Sequence, residues 1–258
     1  MKATALGMLA LLAAATAGAE VRTKTVEYKQ GDAVLEGFMA WDDAVHGARP
    51  GVLVVHQWMG LTPYEQMRAQ ELARLGYVAF AADLYGKGIR PKTTAEAGAL
   101  AGKYKADRAL LRARVNAGLA VLRASEMVDP KRLAAIGYCF GGTSVLELAR
   151  SGADVAGVVS FHGGLDSPDP AAGKNIKAKV LVLHGADDPF NSPKDIAAFQ
   201  QEMRSSGVDW QMVYYGGAVH SFTQKNAGSD PSTGAAYNEA ADRRSWQAMK
   251  DFFAEVLR

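Results

Sequence analysis

The most constraining stretch of the chain is the hexapeptide Gly-Tyr-Cys-Phe-Gly-Gly at residues 137–142. An apolar run at 133–136 precedes it and a helix-like run at 143–149 follows it, so the pattern predicts a strand that turns sharply into a helix. Glycines two positions before and two after Cys139 let the strand and the helix approach without a Cβ clash. The sulfur then stands above a helix N-terminus, where the dipole favours a thiolate. The stretch predicts a nucleophile elbow, with a buried and inert cysteine as the alternative.

Continuous apolar runs alternate with amphipathic stretches along the rest of the chain. The predicted strands cover residues 21–29, 33–41, 52–56, 77–82, 133–136, 155–161, 179–183 and 210–215. The predicted helices cover residues 62–75, 93–125 with a break near Ala101 and Gly102, 143–149, 192–206 and 235–257, and a surface loop is predicted at 165–178. After an opening β-hairpin, this alternation predicts an α/β fold with a mostly parallel sheet of about eight strands flanked by helices on both faces.

Length and charge set the broad class of the chain. Of 258 residues, 48% are hydrophobic, which suffices for a single domain with a full core, expected over residues 20–258. The 29 basic and 27 acidic residues leave a formal net charge of +2 without a long basic run, which argues against a nucleic-acid partner. We expect a monomer that binds a small molecule.

Residues 1–19 have the pattern of a secretory signal peptide. Lys2 precedes a short apolar stretch at 5–15, and Ala17 and Ala19 supply the small residues of a cleavage site. An uncleaved anchor is the alternative, but the stretch is shorter than the ~20 residues that a membrane-spanning helix needs. We therefore expect cleavage after Ala19 and a periplasmic or secreted mature protein without a membrane anchor. Because Cys139 is the one cysteine of the sequence, no disulfide can form within the chain.

Three chemically active residues follow separate predicted strands. In a mostly parallel sheet, binding sites form beyond the carboxyl ends of the strands. Cys139, Asp188 and His220 each lie after such a strand, in the chain order nucleophile, acid, histidine that sheet hydrolases use. The sequence therefore predicts that His220 deprotonates Cys139 while Asp188 orients the imidazole. Asp187 is the alternative acid, and Asp188 is preferred because it is the third residue after Gly185 in a turn.

The predicted site also needs hydrogen-bond donors for an oxyanion and walls for a pocket. The backbone N–H groups of Phe140, directly after Cys139, and of Trp58, after the 52–56 strand, are the candidate donors. Trp58 and Tyr85 are candidate pocket walls, with ordinary packing as the alternative. A metal site is an alternative for the histidines. They lack the close spacing of zinc ligands, so no metal is predicted at His56, His162, His184 or His220.

Five motifs together resemble the dienelactone hydrolase family, across nearly all of the mature chain. They are H-Q-W-M-G at 56–60, A-D-L-Y-G-K-G at 82–88, G-Y-C-F-G-G at 137–142, H-G-A-D-D-P-F at 184–190 and A-V-H-S-F at 218–222. The resemblance implies a compact α/β-hydrolase fold and a triad of Cys139, His220 and Asp188. It also implies an activity such as opening the lactone carboxymethylenebutenolide to a dicarboxylic keto acid.

Two positions depart from the pattern of the dienelactone enzyme that the sequence resembles. That enzyme has a glutamate at the position of Gln57, which interacts with the nucleophilic thiol, and an arginine at the position of Gln224, which grips the substrate carboxylate. A neutral amide at Gln57 predicts a hydrogen bond to the sulfur. A neutral amide at Gln224 predicts little preference for anionic substrates. With His162 and Phe222, these two glutamines complete the predicted substrate pocket.

The resulting interpretation is an exported cysteine hydrolase of an ester, lactone or thioester that requires no cofactor. A non-catalytic binding protein on the same fold is the alternative, since a fold alone does not determine function. A redox-sensing thiol is a third interpretation, although no second cysteine is available to resolve a sulfenic acid.

Overall fold

The computed structural model describes residues 20–258, and one eight-stranded sheet runs through them; the expected signal peptide, residues 1–19, lies outside the described residues. The strands are β1 (Val21–Gln30), β2 (Ala33–Asp42), β3 (Arg49–Val55), β4 (Val78–Ala82), β5 (Val128–Tyr138), β6 (Gly157–Phe161), β7 (Lys179–Gly185) and β8 (Trp210–Tyr215). Their order across the sheet is β1-β2-β4-β3-β5-β6-β7-β8. The first two pairings, β1 with β2 and β2 with β4, are antiparallel, and the others are parallel. The predicted sheet is confirmed.

Helices cover both faces of this sheet. They are α1 (Pro63–Arg74), α2 (Thr94–Ala106), α3 (Arg108–Arg123), α4 (Phe140–Arg150), α5 (Pro193–Ser205) and α6 (Glu239–Val256). Val52 and Val54 of β3 pack in one core cluster with α1 and α6, whereas Leu53 and Val55 pack in a second cluster with α3 and α4. Both faces of β3 are therefore buried, which explains its continuous apolar run. Within residues 20–258, no helix has the length and apolar composition to cross a membrane.

The order of the strands brings the candidate residues to one edge of the sheet. β3 lies between β4 and β5, so the chain winds outward in opposite directions from this point. Such a switch point opens a crevice at the carboxyl ends of the strands. Trp58, Cys139, His162 and Asp188 follow β3, β5, β6 and β7 in that order, and all four therefore lie along the same edge.

The predicted helix break near Ala101 and Gly102 is wrong. Helix α2 continues through both residues to Ala106, and the break lies at Asp107, which has φ −113° and ψ 83°. The Asp107 side chain accepts a hydrogen bond from the Leu110 N–H at 2.9 Å and caps α3. A cap of this kind contributes about 1 kcal/mol to helix stability. A glycine inside a helix lowers helix stability by about as much, but it does not end the helix.

Several other boundaries differ from the prediction; β5 begins at Val128 rather than at residue 133, and α4 begins at Phe140 rather than at residue 143. Residues 165–178 contain a 3₁₀ helix, Pro170–Asn175, and Leu165 is buried, so this segment is more than a surface loop. The last helix begins at Glu239 rather than near residue 235, because the Asn238 side chain accepts a hydrogen bond from the Ala241 N–H at 3.0 Å and caps it there.

Substitutions at the two candidate break positions test the course of α2. A Cβ added to Gly102 meets no atom within 4 Å. We expect Gly102→Ala to raise the free energy of unfolding by about 0.5–1 kcal/mol, since alanine favours a helix interior. Asp107→Ala removes the cap and should lower it by about 1 kcal/mol. Urea denaturation measures both values, and a destabilising Gly102→Ala would contradict a continuous α2.

Candidate active site

Cys139 stands at a sharp turn between β5 and α4. Its backbone angles, φ 55° and ψ −115°, lie in a region that residues other than glycine rarely adopt. A Cβ added to Gly137 would lie 2.0 Å from the carbonyl oxygen of Gly141. One added to Gly141 would lie 2.2 Å from the carbonyl oxygen of Val55. Only glycine fits at either position, so the two glycines make the turn that the hexapeptide predicts.

His220 lies between Cys139 and Asp188 and contacts both. Its Nε2 atom is 3.1 Å from Cys139 Sγ, and its Nδ1 atom is 2.9 Å from Asp188 Oδ2. The other oxygen of Asp188 accepts a hydrogen bond from the Phe190 N–H at 2.9 Å, which fixes the orientation of this fully buried carboxylate. The structure therefore brings together the three side chains that the sequence places after separate strands.

The neighbouring carboxylate has a different position. Asp187 is exposed, and its Oδ2 atom accepts a hydrogen bond from the Gly217 N–H at 3.0 Å. It thus ties the turn after β7 to the loop that leads to His220. Of the two adjacent aspartates, Asp188 is the one that contacts the imidazole.

Burial and charge act in opposite directions on the sulfur and the imidazole. Burial raises the pKa of the Cys139 thiol, but the His220 imidazolium, together with the backbone N–H groups of Phe140 and Trp58, outweighs burial and lowers this pKa. Burial lowers the pKa of His220, but the charges of Cys139 and Asp188 outweigh it and raise this pKa to about 10. The two groups therefore stabilise each other as a thiolate and an imidazolium.

Two backbone N–H groups face the sulfur from different elements. That of Phe140 belongs to the first residue of α4, and that of Trp58 belongs to the loop after β3. Tyr85 donates a hydrogen bond from its hydroxyl to the Trp58 carbonyl oxygen at 2.8 Å and so holds this loop. Tyr85 is itself buried. Tyr85 does not line the cavity above the sulfur, in contrast to the expectation, and its hydroxyl contacts the site through the Trp58 peptide.

A cavity of about 380 Å³ opens above the sulfur. Its wall is mostly apolar, as is usual for small-molecule sites. The lining residues are Trp58, Ala101, Lys105, Cys139, Phe140, Thr143, Gly164, Phe190, Asn191, His220, Ser221 and Ala235. Of the predicted pocket residues, Trp58 lines this cavity.

The two glutamines lie behind the cavity wall. Gln57 is buried, and its side-chain oxygen accepts a hydrogen bond from the Met59 N–H at 3.1 Å. Among the described residues, its amide nitrogen makes no hydrogen bond to Cys139 Sγ, in contrast to the expectation. Gln224 is also buried, and its backbone N–H donates to the Ser221 carbonyl oxygen at 2.9 Å. Neither residue lines the cavity, so the expectation that they shape the substrate pocket directly is corrected.

His162 and Phe222 are likewise fully buried behind the elbow. The Nδ1 atom of His162 lies 3.2 Å from the backbone nitrogen of Cys139. The Phe222 ring packs edge to face against the His162 ring, with 5.0 Å between the ring centroids. Neither residue is among those that line the cavity, in contrast to the expectation.

Sequence reasoning missed two prominent residues of the cavity wall. Lys105, near the end of α2, is the one lysine or arginine among the lining residues, and its Nζ atom lies 3.7 Å from Asp166 Oδ1. The wrong position of the predicted helix break explains why Lys105 was missed, because a helix that ends near residue 101 would not include Lys105. Phe190 is 64% exposed, and its ring lies 5.1 Å from the His220 ring. The position of Phe190, two residues after the predicted catalytic Asp188, could have indicated that it lies near the site.

His56 has local hydrogen bonds, whereas the Nδ1 atom of His184 is buried without a hydrogen-bond partner in the described residues. His56 Nδ1 lies 2.6 Å from the Gln57 carbonyl oxygen, and its Nε2 atom accepts a hydrogen bond from the Leu84 N–H at 3.2 Å. Over residues 20–258, no group of three or more His, Cys, Asp or Glu side chains is arranged to hold a metal ion.

The sheet order, the two-faced helical cover and the elbow after β5 define an α/β-hydrolase fold. The chain belongs to the dienelactone hydrolase family, because the model of that family matches residues 35–257. It is accordingly a hydrolase of the dienelactone hydrolase type.

Similar proteins agree with this classification. A solved structure titled m3DLH is 41% identical with a TM-score of 0.89, and the match covers 92% of this chain and 99% of that one. The structure of a dienelactone hydrolase-like promiscuous phosphotriesterase from metagenomic libraries is also 41% identical, with a TM-score of 0.88 and coverage of 93% and 100%. A Bradyrhizobium protein named "Probable 2-oxo-3-(5-oxofuran-2-ylidene)propanoate lactonase" is 29% identical over 69% of this chain and 75% of its own length.

The charges around the sulfur predict its reactivity. Because the pKa of Cys139 is lowered and that of His220 is raised to about 10, a larger fraction of Cys139 should be thiolate at pH 7 than of an ordinary cysteine. His220→Gln removes the imidazolium, and burial should then raise the thiol pKa above its usual ~8.5. We expect iodoacetamide to alkylate this variant at least about tenfold more slowly at pH 7 than the wild type. Asp187→Asn, the control, should keep the wild-type rate; equal rates for His220→Gln and the wild type would contradict the ion pair.

Proposed function

We propose that the chain is an exported hydrolase that cleaves a carboxylic ester, lactone or thioester through an acyl group carried on Cys139. The observation that carries the proposal is the hydrogen-bonded line from Cys139 Sγ through His220 to Asp188, with distances of 3.1 and 2.9 Å. In such a line the base activates the nucleophile and the acid orients the base. Membership of the dienelactone hydrolase family supports the same reaction class.

In the acylation step, the Cys139 thiolate attacks the substrate carbonyl carbon and a carbon–sulfur bond forms. The carbonyl oxygen takes up the negative charge and accepts hydrogen bonds from the N–H groups of Phe140 and Trp58. When the tetrahedral intermediate collapses, the bond to the leaving group breaks. The His220 imidazolium gives its Nε2 proton to the departing oxygen or sulfur, while Asp188 holds the ring in place.

In the deacylation step, the neutral His220 takes a proton from a water molecule as the water oxygen attacks the acyl carbon. The second tetrahedral intermediate collapses with cleavage of the carbon–sulfur bond. A carboxylic acid leaves, and the thiolate of Cys139 and the imidazolium of His220 are restored. Every proton in this cycle passes through one ring nitrogen, so no cofactor is needed.

The cavity favours substrates with an apolar body. Trp58, Phe140 and Phe190 present aromatic surface, and the volume of about 380 Å³ accommodates a small organic ester. Lys105 is the position where a substrate carboxylate would find a cation, since Gln224 does not line the cavity. The preference for anionic substrates therefore depends on Lys105, which already lies beside Asp166.

Hydrolysis assays with matched variants test the proposal. Purified residues 20–258 should hydrolyse members of a panel of aryl esters, thioesters and lactones. Cys139→Ala and His220→Ala should each lower kcat at least about 100-fold, since each loses a group that bonds to the substrate or transfers a proton. Asp188→Asn should lower kcat without unfolding the chain, whereas Asp187→Asn should remain near the wild type. Full activity of Cys139→Ala would refute the mechanism.

Two kinds of substrate refine this assay. A neutral ester and a carboxylate-bearing ester of the same size show whether Lys105 attracts the anion, with Lys105→Met as the variant. Lys103, an exposed residue of the same helix that does not line the cavity, supplies the control Lys103→Met. An aryl phosphotriester belongs in the panel because a similar protein is titled a promiscuous phosphotriesterase. A protein that binds panel compounds but hydrolyses none of them would favour the binding-protein alternative.

Export is the second part of the proposal, and it is supported by the charged, apolar and small-residue pattern of residues 1–19. The protein isolated from its own cells should begin at Glu20. N-terminal sequencing or the intact mass measures this start, and a protein that retains Met1 or Ala3 would contradict cleavage.

A further inference from the structure

The ring of His162 contacts the backbone of Cys139 and accepts a hydrogen bond from the Cys139 N–H. The Cys139 N–H points both to the Phe161 carbonyl oxygen, at 3.0 Å, and to His162 Nδ1, at 3.2 Å. His162 is fully buried and has a φ angle of 39°, a left-handed value that is uncommon for residues other than glycine. This hydrogen bond therefore joins two residues, His162 and Cys139, that both have positive φ angles.

The hydrogen bonds of His162 determine which ring nitrogen carries its proton. Because Nδ1 faces an N–H donor, it presents a lone pair, and the proton must be on Nε2. Nε2 lies 2.8 Å from Thr223 Oγ1 and donates to it. Burial and the adjacent charge of His220 lower the pKa of His162 well below its usual range, so the ring stays neutral.

The support continues from Thr223 toward two helices. Thr223 Oγ1 lies 2.7 Å from the Tyr64 hydroxyl, which also accepts a hydrogen bond from Arg68 Nε at 3.3 Å. Arg68 in turn donates from Nη2 to Asp242 Oδ1 at 2.6 Å. A chain of polar groups thus runs from an ion pair between α1 and α6 to the backbone of Cys139.

We propose that His162 is a positioning residue, and that its neutral Nδ1 lone pair, held by Thr223 and Tyr64, fixes the strained backbone of Cys139 so that Sγ stays within reach of His220. The inference rests on the proposed function, since it concerns the placement of the proposed nucleophile. The His162 and His220 rings also meet edge to face, with 5.2 Å between centroids, so His162 limits the movement of both partners of the sulfur contact.

Two substitutions at His162 separate its hydrogen bond from its bulk. His162→Phe keeps a ring but loses both nitrogens, whereas His162→Asn retains an amide oxygen near the position of Nδ1. We expect His162→Phe to lower kcat about 10- to 100-fold with KM changed less than about threefold, because a displaced nucleophile affects chemistry more than binding. His162→Asn should recover at least part of this loss. Thr223→Val, which removes the partner of Nε2, should lower kcat as well.

A matched pair of tyrosines provides the control. Tyr64→Phe removes a hydroxyl that belongs to the chain of polar groups. Tyr138→Phe removes a hydroxyl that is buried without a hydrogen-bond partner in the described structure, from a ring only 5.1 Å from that of Tyr64. We expect Tyr64→Phe to lower kcat and Tyr138→Phe to leave it unchanged.

Alkylation of Cys139 by iodoacetamide supplies a readout that does not depend on hydrolysis. The rate per folded molecule at pH 7 should fall in His162→Phe and Thr223→Val, because Sγ loses its contact with His220. If the wild type hydrolyses no panel compound but alkylation still depends on His162, the proposed function fails and the positioning role stands. Wild-type alkylation rates and kcat in folded His162→Phe would overturn the inference; if that variant does not fold, the same result in Thr223→Val would overturn it.

Discussion

The close backbone contact between β5 and α4 is the constraint on which the site depends. Gly137 and Gly141 lie so near each other that no side chain fits between them, and this contact forces Cys139 into its strained conformation. Strain of this kind costs about 1–3 kcal/mol and persists only where the surroundings determine it. The surroundings here are extensive, because every residue of α4, from Phe140 to Arg150, is buried. The sulfur is held by packing as well as by its own hydrogen bonds.

Charged side chains within the core secure the same helix. Arg150 is fully buried and pairs with Glu202 of α5 at 2.7 Å and with Glu147 of its own helix at 3.0 Å. Removing charges from water is expensive, so such pairs contribute less to stability than their contacts suggest. They do determine the orientation of α4, because only one orientation of this helix lets all of these charged groups pair. The elbow at one end of α4 and the ion pairs at the other therefore fix the same helix.

The meeting of Cys139, Asp188 and His220 was predictable, and most of the cavity wall was not. A parallel sheet brings the residues after each strand to one edge, so chain order alone places Cys139, Asp188 and His220 together. The wall depends on where helices end and which way side chains turn. Asp107 rather than Gly102 ends α2, which carries Lys105 into the wall. The buried place of His162 likewise follows from partners that sequence spacing does not reveal.

The acidity of the thiol belongs to the finished fold and not to the cysteine. Cys139 contacts His220, which lies 81 positions later in the sequence. The chain of polar groups behind Cys139 ends at the ion pair of Arg68 with Asp242, a residue of the last helix. An unfolded chain lacks all of these contacts, and its cysteine has the ordinary acidity of a free thiol. Before the chain has folded, the thiol is therefore less acidic than in the folded protein. The contacts that lower the pKa of the thiol, and the ion pair behind them, form only once His220 and Asp242, both in the last forty residues of the chain, have reached their places.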